Sequence, residues 1–144
     1  MKFFGLFRRK KKEVFFEEKT SSSSEELDLK KICSDDPEAY EALFDTMFLS
    51  PESIEMTSDR AAEKAEEHMK KGDTLSAAVN YRIAGGLAIY EGDVEKVKKY
   101  FSKYSELTGK KLKILEIPER AVKKAREYYE ARAHYGRRDE TIAG

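Results

Sequence analysis

The stretch GDTLSAAVNYRIAGGLAIYEGD, residues 72–93, decides how the chain is read, because it begins and ends on the same dipeptide. In Gly72-Asp73 and Gly92-Asp93 the glycine can take the left-handed conformation that closes a helix, and the aspartate can accept from the free N–H groups of the next one. Between them, Ala77, Tyr81, Ala84 and Ala88 form one stripe at helical spacing, and Val79, Ile83, Leu87 and Tyr90 form another. A helix apolar on two sides is expected to lie between neighbours. Gly85 and Gly86 interrupt its middle at about 1 kcal/mol each relative to alanine. That cost is reasonable where another backbone packs close.

Working outward, Ser58 is expected to cap a helix ending at Gly72, with Ala61, Ala65, His68 and Met69 as a thin stripe. Asp93 should cap a third helix ending at Gly109 and showing Val94, Val97, Phe101, Tyr104 and Thr108. Ile117-Pro118 should start a fourth, running toward Gly136 with Ala121, Val122, Ala125, Tyr128 and Tyr129. The segment 110–117, KKLKILEI, alternates as a strand would, but no partner strand is visible. It is read as an extended connector laying Leu112, Ile114 and Ile117 on the core.

Upstream, Asp36-Pro37 matches an N-cap followed by proline at the first helical position. Ala39, Leu43 and Met47, with Tyr40, Phe44 and Phe48, recur every four residues and predict a helix from Pro37 to Phe48. Ser50-Pro51 should open a short helical turn. Leu27, Leu29 and Ile32 suggest a shorter helix before Asp35. The fold class expected is therefore all-α: a compact bundle of four to six helices over residues 27–136. A flexible basic, aromatic N-terminal tail with a Ser-rich linker (1–26) and a flexible C-terminal tail (137–144) flank it.

Helix, Gly72-Asp73, then helix with Ala77, Tyr81 and Ala84 resembles the tetratricopeptide repeat (TPR), in which a Gly-Asp turn precedes alanine, an aromatic and alanine at this spacing. Ala65, seven residues before Gly72, matches the small residue of the repeat's first helix. Gly92-Asp93, with Gly85 seven residues before and Phe101 nine after, fits the same frame. The two Gly-Asp turns lie 20 residues apart, against about 34 in tandem repeats. Lys64 and His68 stand where large apolar residues are usual. A single TPR-like unit over 58–135 fits better than an array, and the three-helix microtubule-interacting-and-trafficking domain is similar on the same grounds. The resemblance implies peptide or protein binding without naming the ligand.

Charged residues are 39% of the chain and hydrophobic ones 40%, enough for a modest core under a heavily charged surface. The 28 basic and 28 acidic residues cancel, so any electrostatic preference must be local, and no nucleic-acid partner is expected. The single Cys33 excludes an intramolecular disulfide and reads as a buried structural thiol. Apolar runs are too short for a membrane span, and Met1–Lys12 lacks the apolar run of a signal peptide. A cytoplasmic protein is expected. Absence of Gln, with one Asn and one Cys against 20 Glu and 19 Lys, is the composition of hyperthermophile proteins.

The sharpest functional hint is MKFFGLFRRKKK. Phe3, Phe4, Leu6 and Phe7 stand beside Arg8, Arg9, Lys10, Lys11 and Lys12, ahead of the serine run 21–24. Bulky aromatics beside clustered cations suit the surface of an anionic membrane, where each cation contributes about 1 kcal/mol. A solubilising tail and a contact with protein or nucleic acid are the alternatives. Peripheral association with the inner membrane surface is the expectation carried forward.

Nucleotide-binding, hydrolase and zinc-protease signatures are missing from the sequence, so no catalytic residue, cofactor or metal ligand is assigned. His68, followed by Lys71 and Gly72, is similar to the helix-borne histidine of phosphotransfer domains. Lys70 stands where that family is apolar and Asp73 where it has a small hydroxyl, and the alternative is an ordinary surface histidine. A third reading is a homo-oligomer subunit meeting through Tyr128, Tyr129 and Tyr135. A non-enzymatic adaptor is the leading expectation.

Overall fold

The computed structural model describes the backbone of residues 28–143 and the side chains of residues 28–133. Phe3 to Lys12, the serine run and Tyr135 therefore lie outside the described side chains. Among the described residues the chain is all-helical, without a strand. Residues 28–32 are helical (α1), followed by α2 (Pro37–Phe44), α3 (Ser58–Lys70), α4 (Thr74–Glu91), α5 (Val94–Thr108) and α6 (Pro118–Ala143). Single 3-10 turns at Pro51–Ser53 and Lys113–Leu115 link α2 to α3 and α5 to α6.

The punctuation behaves as local chemistry dictates. Gly72, Gly92 and Gly109 have φ of 78°, 75° and 75°. Asp73 N–H reaches back to His68 O at 2.9 Å and Asp93 N–H to Ala88 O at 3.1 Å, which satisfies carbonyls the helix ends would leave bare. The Asp36, Asp73 and Asp93 side chains accept from the N–H groups of Ala39, Ser76 and Lys96. Ser58 is different from expectation: Thr57 caps α3, its hydroxyl accepting from Arg60 N–H at 3.1 Å. Of two adjacent hydroxyls the first serves the helix end. The second is fully buried and donates to Glu91 at 2.6 Å, with its own N–H on the same carboxylate at 2.9 Å.

Those bonds tie the start of α3 to the end of α4, so the two helices are antiparallel. Asp59 in the first turn of α3 meets Lys96 and Tyr100 of α5, so α3 and α5 run side by side in the same direction. α4 packs against both. Ala77, Tyr81, Ala84 and Ala88 are buried as expected, but the second stripe divides. Leu87 is buried, whereas Val79 and Tyr90 are about half exposed and Ile89 takes the inward position. The glycine pair seats aromatic rings rather than a helix backbone. A Cβ on Gly85 would lie 2.6 Å from the Phe101 ring, and one on Gly86 would overlap the Phe48 ring and come 3.1 Å from Thr46 O.

α2 ends at Phe44, a turn short of the predicted Phe48. The apolar period continues, but the backbone leaves the helix at Asp45, and Thr46 turns its hydroxyl onto Ala42 O at 2.6 Å. Residues 45–48 then form a strap that lays Phe48 against Gly86 while Met47 stays buried. The connector 110–117 contains a helical turn rather than a fully extended run, and Ile114 is buried with Leu112 and Ile117 packed beside it. α6 passes through Gly136 to Ala143, into residues assigned to the C-terminal tail. A glycine costs a helix about 1 kcal/mol but does not by itself stop one.

α6 closes the bundle over α1 and α2 with Ala121, Val122, Ala125 and Tyr128, all buried. Tyr128 is thus a core residue and not an exposed oligomer contact. Tyr129 is half-buried, and its hydroxyl donates to Phe48 O. Cys33 is buried as expected, and burial raises its thiol pKa to about 11.

Candidate functional site

The parallel pair α3 and α5 leaves an open groove of about 400 Å³ with α4 as its floor. On α3, Asp59, Ala62, Glu63 and Glu66 line it; on α5, Lys99, Tyr100 and Lys103; Tyr81 rises from α4. Spacings of three and four residues put each set on one helical face. One wall is therefore acidic, the opposite wall is basic, and two tyrosines lie between them.

Tyr100 is buried and its hydroxyl donates to Asp59 Oδ1 at 2.6 Å, while Lys96 Nζ holds Oδ2 at 3.0 Å. Tyr81, also buried, donates to Glu66. The two rings are 6.5 Å apart, and Lys99 Nζ stands 5.7 Å from the centroid of the Tyr100 ring. Hydrogen bonds to an ionised acceptor contribute about 1.5–3 kcal/mol each, so these fix the two ring orientations. Burial, followed by the Glu66 hydrogen bond, pushes the Tyr81 pKa up to about 12. Burial and then Asp59 push Tyr100 up as well. The Tyr100 hydroxyl, then Lys96, holds the Asp59 carboxyl below its ordinary range. Both phenols stay protonated near neutral pH, each donating to its own carboxylate.

Glu66 and Glu67, adjacent on α3, would both be read from their charge as solvated. Glu66 instead holds Tyr81, and Glu67 approaches Arg60 at 3.9 Å. Ala65, Ala77, Tyr81, Ala84, Gly85 and Phe101 are all buried, and Gly72, Asp73, Gly92 and Asp93 shape the two turns. These residues, on which the resemblance to the repeat rested, are scaffold, and of them only Tyr81 reaches the groove. Asp59, Tyr100 and the two charged walls were missed. Part of the signal was present: acids at 59, 63 and 66 and lysines at 96, 99 and 103 repeat at helical spacing, on two helices separated in sequence by α4.

His68 is about one-third exposed, with Nδ1 3.7 Å from Asp73 Oδ2 and at the far end of α3 from Asp59. Among the described residues no three His, Cys, Asp or Glu side chains are grouped to hold a metal ion. No helix among them is long and apolar enough to cross a membrane. No protein-family model matches this chain, and no curated protein or solved structure matches it either.

Proposed function

We propose that this chain is a non-enzymatic interaction module of TPR-like design that receives an extended peptide segment in the α3–α5 groove. The observation that carries the reading is the parallel pair of helices facing each other across buried Tyr81 and Tyr100 with walls of opposite charge. Opposed charges orient a bound segment, and the buried tyrosines, each bonded to a carboxylate of the α3 wall, hold the groove in one shape. In the same reading the aromatic, basic segment from Phe3 to Lys12 places the module on an anionic membrane surface, which makes it an adaptor.

A photo-crosslinking side chain placed at Glu63 or Lys103 should capture a discrete partner in the native cell, and one at Lys123 on the exposed side of α6 should not. Equal capture at all three positions would remove the groove from the reading. For the membrane arm, full-length protein should sediment with anionic vesicles, less with neutral ones, and not at all once residues 1–12 are deleted. Equal sedimentation of both proteins would remove the tether and leave the groove standing.

A further inference from the structure

A second concavity lies away from the groove, between the strap 45–48, α4 and the turn after α5. Its volume is about 250 Å³, and Asp45, Thr46, Arg82, Phe101, Tyr104 and Lys110 are among its lining residues. Arg82 projects from α4 one turn before the glycine pair and lies against the Phe48 ring that Gly86 admits, with Phe101 also lining the space. Its guanidinium carbon sits 4.8 Å from the centroid of the Phe48 ring, and Nη2 donates to Asp45 O at 2.9 Å. Nη1 is shielded from solvent and has no hydrogen-bond partner among the described residues. Arg60, Arg120 and Arg132 each pair with a carboxylate, but among the described residues no carboxylate lies within ion-pair distance of Arg82.

A guanidinium carries donors only; with Nη1 shielded, the donor open to a solute is the second N–H of Nη2, whose bond to Asp45 O lies at the exposed edge of the group. Lys110 adds a second cation at the rim, exposed, 6.0 Å from the Tyr104 ring centroid, and held where Ser105 Oγ donates to Lys110 O at 2.6 Å. Asp45 offers Arg82 its main-chain carbonyl, while its exposed carboxylate makes no ion pair among the described residues. Two cations thus face one acid around an opening. At about 30 Å³ per water, the space holds a carboxylate or phosphate group with a few waters.

We infer that this pocket is an oxyanion site, in which a carboxylate or phosphate group accepts from Arg82 and is drawn in by Lys110. It is independent of the α3–α5 groove and does not need that reading to hold. The two cations come from different elements, so an anion between them would also pin the turn after α5 to α4.

The test is titration of the full chain with sodium phosphate and, separately, sodium acetate, against sodium chloride at matched ionic strength. The readout is the Arg82 Nε–Hε resonance, assigned by its loss in Arg82→Gln. A saturable shift with phosphate or acetate and none with chloride is expected, and the anion that saturates distinguishes the two ligand classes. Lys110→Ala should raise the apparent Kd about fivefold, the worth of one exposed charge pair. Asp45→Asn should lower it by a comparable factor. Both positions are exposed, so these variants keep the fold even if Arg82→Gln does not. A shift that is absent, or that grows linearly and is the same in Lys110→Ala and Asp45→Asn, overturns the site.

Discussion

The α3–α4–α5 half and the α1–α2–α6 half are both helix on helix, yet different chemistry joins them. In the first, small residues (Ala61, Ala65, Ala77, Ala84 and Gly85) let helices adjacent in sequence approach closely, and each turn closes on a glycine. In the second, apolar contact is supplemented by long polar side chains of α6 that reach distant main chain. Lys124 Nζ donates to Ile32 O at 3.2 Å and Arg132 Nη1 to Leu49 O at 2.6 Å, across separations of 92 and 83 residues. Arg120 spans Asp36 and Glu38. Steric fit should therefore govern the first half, and charge and ionic strength should reach mainly the second.

The largest effect should come from Gly86→Leu. The added side chain meets the Phe48 ring and Thr46 O, and a backbone oxygen cannot swing aside. Overpacking of this kind costs about 1–3 kcal/mol and occasionally more, against about 1 kcal/mol returned by helix propensity. Gly85→Leu should behave alike, since the Phe101 ring that it meets is itself fully buried. Urea denaturation measures both. Net stabilisation of Gly85→Leu would show that α4 and α5 do not pack closely there, and the contrast between the halves would fail at its strongest point; net stabilisation of Gly86→Leu would show the same of the seat of the strap 45–48 on α4.

Ser58→Ala probes a polar bond inside the closely packed half. It removes the hydroxyl that reaches Glu91 and should cost about 1–3 kcal/mol. Thr57→Ala removes a cap and should cost about 1 kcal/mol. If Thr57→Ala were the costlier of the two, the α3–α4 link would depend on the helix end more than on Glu91.

These same positions show what a sequence can convey. Gly72, Gly92 and Asp93 were legible because turn chemistry is local: conformation and cap lie within a few residues of each other. The assignment at Ser58 failed because its partner, Glu91, is 33 residues away and two adjacent hydroxyls are equivalent as caps. The early end of α2 was hidden because Phe48 keeps its apolar contact after the backbone has left the helix. In the groove only Tyr81 was foreseen, as a scaffold residue. Asp59 and Tyr100 belong to helices that become neighbours only through α4, and no spacing within one helix reports that.

The smallest expected effect is a selective loosening in acid. Asp35 is held below its ordinary range by Lys124, Asp36 by Arg120, and Glu38 by Lys113 and then Arg120. A carboxylate whose folded pKa is depressed contributes stability that is fully present above its unfolded value, about 4. That contribution fades as pH falls through the lower folded value. All three acids sit on the contact between the N-terminal segment and the turn and helix that end the bundle. Asp59 is depressed in the same sense in the other half, but there it bridges helices already joined by alanine contacts to α4. Between pH 5 and 3, amide exchange should therefore quicken first in α2 and the first turns of α6, and later in α4, as a sub-global opening. Salt at about 1 M, with a Debye length near 3 Å, should bring the same opening to higher pH. Exchange that quickens in α4 together with α2, at one pH and regardless of salt, would mean that the bundle opens as a single unit, and the division between close packing and polar reach would have no dynamic consequence.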